Sequence, residues 1–319
     1  MDAVVLAGGY ATRLWPITRH RPKMFLPVGE QTVIDDVFAD LEADSRIEDV
    51  YVSTNERFVD DFREYLADAS FTKPELSVEE TTDEDEKFGV IGALAQLVER
   101  ENVKDDLLVI AGDNLISFDV ADFVDFFDEE GQPALAAYDV ESRESAKSYG
   151  LVELDDEEVV DFQEKPADPR STLVSIACYA FPAENLTNLR EYLDAGKNPD
   201  EPGWFIQWLQ NRETVRAYTF DGAWFDIGTA ESYLDAVSWH LDGESIVSPD
   251  ADVRNSEIGE NVHVMEGVTV EDSTLSNTVV FPDSEIAGAT ISNSIVDSDA
   301  TISNVDLDDS LVGQHTSIQ

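Results

Sequence analysis

The residues best equipped for chemistry lie near the start of the chain, in Leu6-Ala7-Gly8-Gly9-Tyr10-Ala11-Thr12-Arg13-Leu14-Trp15-Pro16-Ile17-Thr18, followed by Arg19-His20-Arg21-Pro22-Lys23. A short apolar run opens into Gly8 and Gly9, where backbone N–H groups can approach an anion without interference from a Cβ. Arg13 offers phosphate oxygens a planar fork, and Lys23 offers them a mobile point charge. Arg13, Arg19, Arg21 and Lys23 place four cations within eleven positions, in a chain with only 20 Lys plus Arg among 319 residues. A polyanionic ligand explains that concentration better than a surface turn does. The spacing is neither the GxGxxG of a dinucleotide-binding turn nor a P-loop, which would end in Gly-Lys-Ser or Gly-Lys-Thr.

Two other groups stand out. Ala111-Gly112-Asp113-Asn114 closes the most apolar run in the chain, so Asp113 is carried on a rigid element, as a metal-ligating carboxylate should be. Tyr149-Gly150-Leu151-Val152 and Phe162-Gln163-Glu164-Lys165-Pro166 combine a glycine, an acid and a base beside a proline stop. Taken alone, that last pair also fits a surface hairpin. Cys178 is the single cysteine, so no intramolecular disulfide is possible, and its apolar neighbours predict a buried, inert thiol. His20 lies within the first segment and also fits a solvated loop residue, and His240, His263 and His315 show no metal-ligand spacing.

These residues need elements to hold them. Across 1–240, apolar runs at 3–7, 50–53, 76–78 and 107–111 alternate with helical patterns at 33–41, 58–66 and 92–100. Further extended segments at 134–140, 150–154, 159–162 and 172–181 precede helices near 186–193 and 205–210. Strands this apolar predict a mostly parallel mixed sheet with helices on both faces. Ligands of such sheets bind beyond the carboxyl ends of the strands, which places the first glycines and Asp113 where substrate would lie.

After Gly243 the pattern changes. Val247, Val253, Ile258, Val264, Val270, Leu275, Val280, Ile286, Ile291, Val296, Ile302, Leu307, Val312 and Ile318 follow one another in steps of five or six. Three steps sum to 16 in the later part, so Val270, Ile286, Ile302 and Ile318 should stack. One inward aliphatic per short strand, with Ser, Asn, Asp and Thr between, predicts a parallel β-helix over 244–319.

The first segment closely resembles the signature of the sugar-1-phosphate nucleotidyltransferases, also called nucleotide-sugar pyrophosphorylases. That signature commonly has Gly where this chain has Ala11. The resemblance implies a Rossmann-like catalytic domain at 1–240 and a C-terminal left-handed, hexapeptide-like β-helix domain at 244–319. It also implies the site. Leu6, Ala7, Gly8, Gly9, Thr12 and Arg13 would bind nucleotide, together with Gly89 and Gly92 of the base-pocket segment Phe88-Gly89-Val90-Ile91-Gly92. Arg13, Lys23 and Asp113 would be catalytic, and Asp113 and Asp226 would hold Mg²⁺. Gly150, Glu164 and Lys165 would bind the sugar phosphate. Glu79 and Glu80 lie near the base-reading positions, followed by the acidic stretch Asp83-Glu84-Asp85-Glu86.

The implied reaction transfers a nucleotidyl group from dTTP or UTP to glucose 1-phosphate. The same chemistry with mannose 1-phosphate and a guanine nucleotide is the alternative, and a non-catalytic nucleotide-sugar-binding regulator is a further one. The substrates would be a nucleoside triphosphate and a sugar 1-phosphate, and the expected assembly is a homo-oligomer to which the β-helix contributes contacts.

Composition supplies the exclusions. Asp plus Glu number 69, for a formal net charge of -49, while 42% of residues are hydrophobic. The apolar share predicts folded cores, and the charge repels nucleic acid and anionic membranes. Acid spread along the whole chain fits a halophilic, high-salt cytoplasm where counterions screen self-repulsion. No apolar run reaches 18 residues and no basic leader precedes Ala3, so a cytoplasmic protein without a membrane span is expected.

Overall fold

The computed structural model describes residues 1–81 and 88–319; the acidic stretch Asp83–Glu86 lies outside the described residues. The chain divides into two compact units that are each discontinuous in sequence. One comprises Met1–Gly9, Asp36–Gly112 and Ile116–Trp224, and the other Tyr10–Asp35, Asp113–Leu115 and Phe225–Gln319.

The first unit is built on a sheet whose strands run in the order Pro74–Glu79, Val50–Asn55, Asp2–Leu6, Leu107–Ala111, Leu173–Phe181, Ala134–Asp139, Arg216–Thr219, Glu158–Glu164 and Gly150–Asp155. The first four are mutually parallel, and Leu173–Phe181 then runs antiparallel to both of its neighbours, so the sheet is mixed. Successive residues Val4 and Val5, and Val109 and Ile110, point to opposite faces, and all four are 0–1% exposed. The sheet is therefore buried on both faces, which is why its central strands are uniformly apolar. On one side, Val4 and Val109 meet Leu94 and Leu97 of helix Val90–Arg100 and Phe205 and Leu209 of helix Pro202–Leu209. Cys178, which registers with Ile110, is also buried, and loss of hydration pushes its thiol up, so it is the inert packing residue expected. Helix Val120–Glu130, capped by the Asp119 carboxylate and closed by Gly131 in a left-handed conformation, was not among the expected elements.

The second unit contains the parallel-stranded coils. Their registers resolve the fourteen aliphatic positions into three ladders. Val253, Val270, Ile286, Ile302 and Ile318 pair in succession, as predicted for the last four. Ile258, Leu275, Ile291 and Leu307 form the second ladder, and Val247, Val264, Val280, Val296 and Val312 the third. Turns between ladders fall in columns of left-handed backbone, among them Asn261, Asn277, Asn293 and Asp309. Asn and Asp tolerate that conformation at little cost, which accounts for their density here. Helix Ala230–Leu241 packs on these coils, sharing an apolar cluster with Leu14, Ile17, Leu26, Val279, Phe281 and Ile295. Among the described residues, no helix is long and apolar enough to cross a membrane.

Candidate active site

In the first unit, Leu6, Ala7, Gly8 and Gly9 of the expected nucleotide-binding residues lie at the carboxyl end of strand Asp2–Leu6, and Gly89 and Gly92 lie at the start of helix Val90–Arg100, whereas Thr12 and Arg13 belong to the second unit. Ala7 donates its N–H to the Ser53 carbonyl at 2.8 Å, and the Gly8 carbonyl accepts from Asn55 Nδ2 at 2.9 Å. A Cβ on Gly8 would come within 3.2 Å of Glu79 Oε1, whereas one on Gly9 would meet nothing within 4 Å. The turn is thus braced at Gly8 and open at Gly9. Burial holds the Glu79 carboxyl above its usual range, opposed by the hydrogen bond it accepts from Ser53 Oγ at 2.9 Å. Gly89 and Gly92 are both buried. Gly89 has φ +75° and lies so close to Pro199 and Asp200 that an added Cβ would come 2.5 Å from the Pro199 carbonyl oxygen. Close backbone approach by that segment accounts for this glycine.

The sugar-phosphate candidates also come together in this unit. Glu164 pairs with Gly150 across neighbouring strands, and its carboxylate abuts both Gly150 and Gly203. A Cβ on Gly203 would fall 1.6 Å from Glu164 Oε2. Burial, reinforced by the nearby Glu201 charge and opposed by Lys165, pushes the Glu164 carboxyl up to about 7. Lys165 has φ +44°, and its Nζ pairs with Glu201 Oε1 at 2.5 Å. Sequence reasoning missed Glu201 and Gly203. Their signal was an acid before Pro202 at a helix start, with a glycine in the first turn.

The second unit brings together Arg13, Lys23, Asp113 and Asp226. Ala11, at the signature's usual glycine, adopts φ 48° and ψ 42°. This left-handed backbone is the physical reason a glycine suits the position. Thr18 Oγ1 donates to the Ala11 carbonyl at 2.8 Å and closes the turn. Arg13 follows in the short 3₁₀ turn Thr12–Leu14, and Leu14 anchors that turn in the apolar cluster beneath. Lys23 Nζ forms an ion pair with Asp113 Oδ2, with side-chain exposures of 12% and 16%. Asp113 is tied to the segment carrying Asp226, because its carbonyl accepts the Ile227 N–H at 3.0 Å. A Cβ on Gly228 would be 3.2 Å from Arg13 Nη2 and 3.7 Å from Asp226 Oδ1, so the cation and the second carboxylate flank one glycine. Thr229 then caps helix Ala230–Leu241 through a reciprocal capping box with Ser232.

Two carboxylates on adjoining segments, beside a lysine and an arginine, match the donor set of a hard divalent cation that takes its remaining ligands from substrate phosphates and water. Among the described residues, no group of three or more His, Cys, Asp or Glu is arranged to hold a metal ion. Dependence on a divalent metal is accordingly a family-level expectation, and phosphate oxygens would have to complete the shell.

The nucleotidyl transferase family profile matches residues 2–242. A Sulfolobus acidocaldarius protein named "Putative mannose-1-phosphate guanyltransferase" is 30% identical over 236 residues, covering 73% of this chain and 61% of that protein. The bifunctional protein GlmU of Methanocaldococcus jannaschii is 26% identical over 281 residues, covering 86% of this chain and 61% of that protein. This chain therefore spans about three-fifths of the length of both relatives. The crystal structure of a "Putative Glucose-1-Phosphate Thymidylyltransferase" from Bacillus anthracis, in complex with sucrose, superposes with a TM-score of 0.67 at 24% identity. That match covers 76% of this chain and 96% of the Bacillus chain, and it shows a common fold. With the profile spanning well over half of its length, the chain belongs to the nucleotidyl transferase family.

Proposed function

We propose that this chain is an enzyme that transfers a nucleotidyl group from a nucleoside triphosphate to a sugar 1-phosphate, giving a nucleotide sugar and pyrophosphate. The observation that carries this reading is the gathering of Arg13, Lys23, Asp113 and Asp226, with Lys23 already paired to Asp113. A phosphate oxygen of the sugar 1-phosphate attacks the α-phosphorus in line. The new P–O bond forms as the bond to the β-phosphate oxygen breaks, and pyrophosphate leaves with the electron pair. The attacking oxygen is already anionic, so no protein nucleophile or strong base is required. Catalysis then rests on positioning and charge stabilisation.

Each residue takes one part of that task. Gly8 and Gly9 present backbone N–H groups to the nucleotide, and Gly9 has the open side that this needs. Arg13 stabilises charge on the triphosphate, and Lys23 does so at the reacting phosphates. Asp113 and Asp226 would hold Mg²⁺, which when bound neutralises charge on the phosphate oxygens it touches. Glu164 accepts hydrogen bonds from sugar hydroxyls. Lys165 holds the sugar phosphate by exchanging its present partner Glu201 for the ligand. Residues 1–240 would do the catalysis, in agreement with the reach of the family profile, and 244–319 would supply the β-helix.

We favour dTTP or UTP with glucose 1-phosphate. A second reading, guanylyl transfer to mannose 1-phosphate, is favoured by the 30% identity to the Sulfolobus protein. Pyrophosphate release across a matrix of nucleoside triphosphates and sugar 1-phosphates, with Mg²⁺ and high salt, separates the two. Highest kcat/KM for a pyrimidine nucleotide with glucose 1-phosphate supports the first, and for GTP with mannose 1-phosphate the second. No turnover with any pair contradicts the enzymatic reading altogether.

A further inference from the structure

Arg21 belongs to the same cationic segment as Arg13 and Lys23, yet its charge is engaged by the β-helix. Its Nη2 donates to Asp297 Oδ1 at 2.5 Å, and its guanidinium carbon lies 4.7 Å from the centroid of the Phe281 ring. The Asp297 side chain is 3% exposed and that of Arg21 24%. Asp297 is fixed within its coil, since its Oδ1 accepts the Ser298 N–H at 2.8 Å and its carbonyl accepts Ser284 Oγ at 2.9 Å. The surrounding contacts are apolar and tight. Leu14, Ile17 and Leu26 share a cluster with Phe281 and Ile295, and a Cβ on Gly313 would come 2.8 Å from Pro16 Cγ.

The covalent path from Arg21 to Lys23 is one residue, Pro22, whose ring restricts its backbone. Beyond Lys23 the chain is pinned again, by burial of Leu26 and by the Tyr233 hydroxyl donating to the Pro27 carbonyl at 2.7 Å. Any shift at Arg21 therefore passes to the lysine that pairs with Asp113.

We infer that the β-helix sets the position of Lys23: Asp297 and Phe281 seat Arg21, and Arg21 is a positioning residue for the transfer reaction. The inference rests on the function proposed above and gives residues 244–319 a part in turnover in addition to assembly. Misplacing a catalytic group by about 1 Å costs on the order of 10²-fold in rate.

The test uses the full chain, with Arg21→Met, Asp297→Asn and the double variant. Each single change lowers kcat for pyrophosphate release by about 10- to 10²-fold, while both KM values hold within about threefold. The double variant is no slower than the worse single, because the two residues act as one unit. It also recovers thermal stability that Arg21→Met loses, since no uncompensated buried charge remains, but it does not recover kcat. Arg254→Ala, which breaks an exposed pair with Asp252 on the same coils, leaves kcat and KM as in the wild type. Wild-type kcat in Asp297→Asn, or recovery of kcat together with stability in the double variant, overturns the inference.

A second measurement needs no turnover and so separates this inference from the proposed function. Labelling of Lys23 by an amine-acylating reagent, read by peptide mass spectrometry, rises several-fold in Arg21→Met and Asp297→Asn. Labelling of Lys73, held by the Leu41 and Asp44 carbonyls, does not change. Equal labelling of Lys23 in all proteins contradicts the seat.

Discussion

Glu164 shows how a single residue departs from ordinary chemistry here. Its carboxyl titrates at about 7 because burial and the Glu201 charge outweigh Lys165. In the unfolded chain a glutamate ionises near its ordinary value of 4.5. As pH rises from about 4.5 to 7, the unfolded state loses this proton first, so this group's contribution to native stability declines through that window and stays low above it. Glu164→Gln, which stays neutral, should thus gain stability relative to the wild type as pH is raised from 5 to 8. A difference in melting temperature between the two proteins that is constant across that range would refute the assignment. The family resemblance marked Glu164 and Lys165, which the strand-and-proline pattern alone left open to a surface hairpin. It did not mark Glu201 and Gly203, because their approach depends on how helix Pro202–Leu209 packs on the strand, some forty residues away in sequence. The Lys23–Asp113 pair was likewise invisible as a contact, although both residues were singled out by position.

At the scale of elements, the coils were the most legible part of the chain. A period of 16 residues is written directly in the aliphatic positions, and each registers with its equivalent in the next coil. Ile286 sits mid-ladder between Val270 and Ile302 and is 1% exposed, so Ile286→Ala should cost about 2–5 kcal/mol of stability by denaturant unfolding. A loss below about 1 kcal/mol would mean that the ladder does not pack as described. Helix Val120–Glu130 was missed even though Asp119 and Gly131 bracket it and Val120, Phe123, Val124 and Phe127 form its buried stripe. Its three phenylalanines and two valines also suit strands, so local preference alone did not settle it. Gly89 was singled out only through the resemblance, as a nucleotide-binding residue; its positive φ and the close approach of Pro199 were not legible in the sequence.

At the scale of the molecule, the membership of Tyr10–Asp35 in the same compact unit as the coils could not be read from sequence. No periodicity links segments about two hundred residues apart, and the ion pair between Arg21 and Asp297 is the kind of contact that only the fold creates. The net charge of -49 acts on the whole chain at once. Raising salt from about 0.1 M to 1 M shortens the screening length from about 10 Å to 3 Å and relieves repulsion among exposed carboxylates. The thermal midpoint should rise over that range, and a midpoint that falls would show that surface repulsion is not what limits stability.

The central claim is that cations and carboxylates concentrated at Arg13, Lys23, Asp113 and Asp226 drive nucleotidyl transfer by electrostatics, without a protein nucleophile. Steady-state pyrophosphate release by Lys23→Ala, measured beside the wild type with the preferred substrate pair, tests it most directly. The expected result is a kcat lower by about 10²-fold or more, the scale of losing a contact that strengthens in the transition state; turnover equal to the wild type would contradict it.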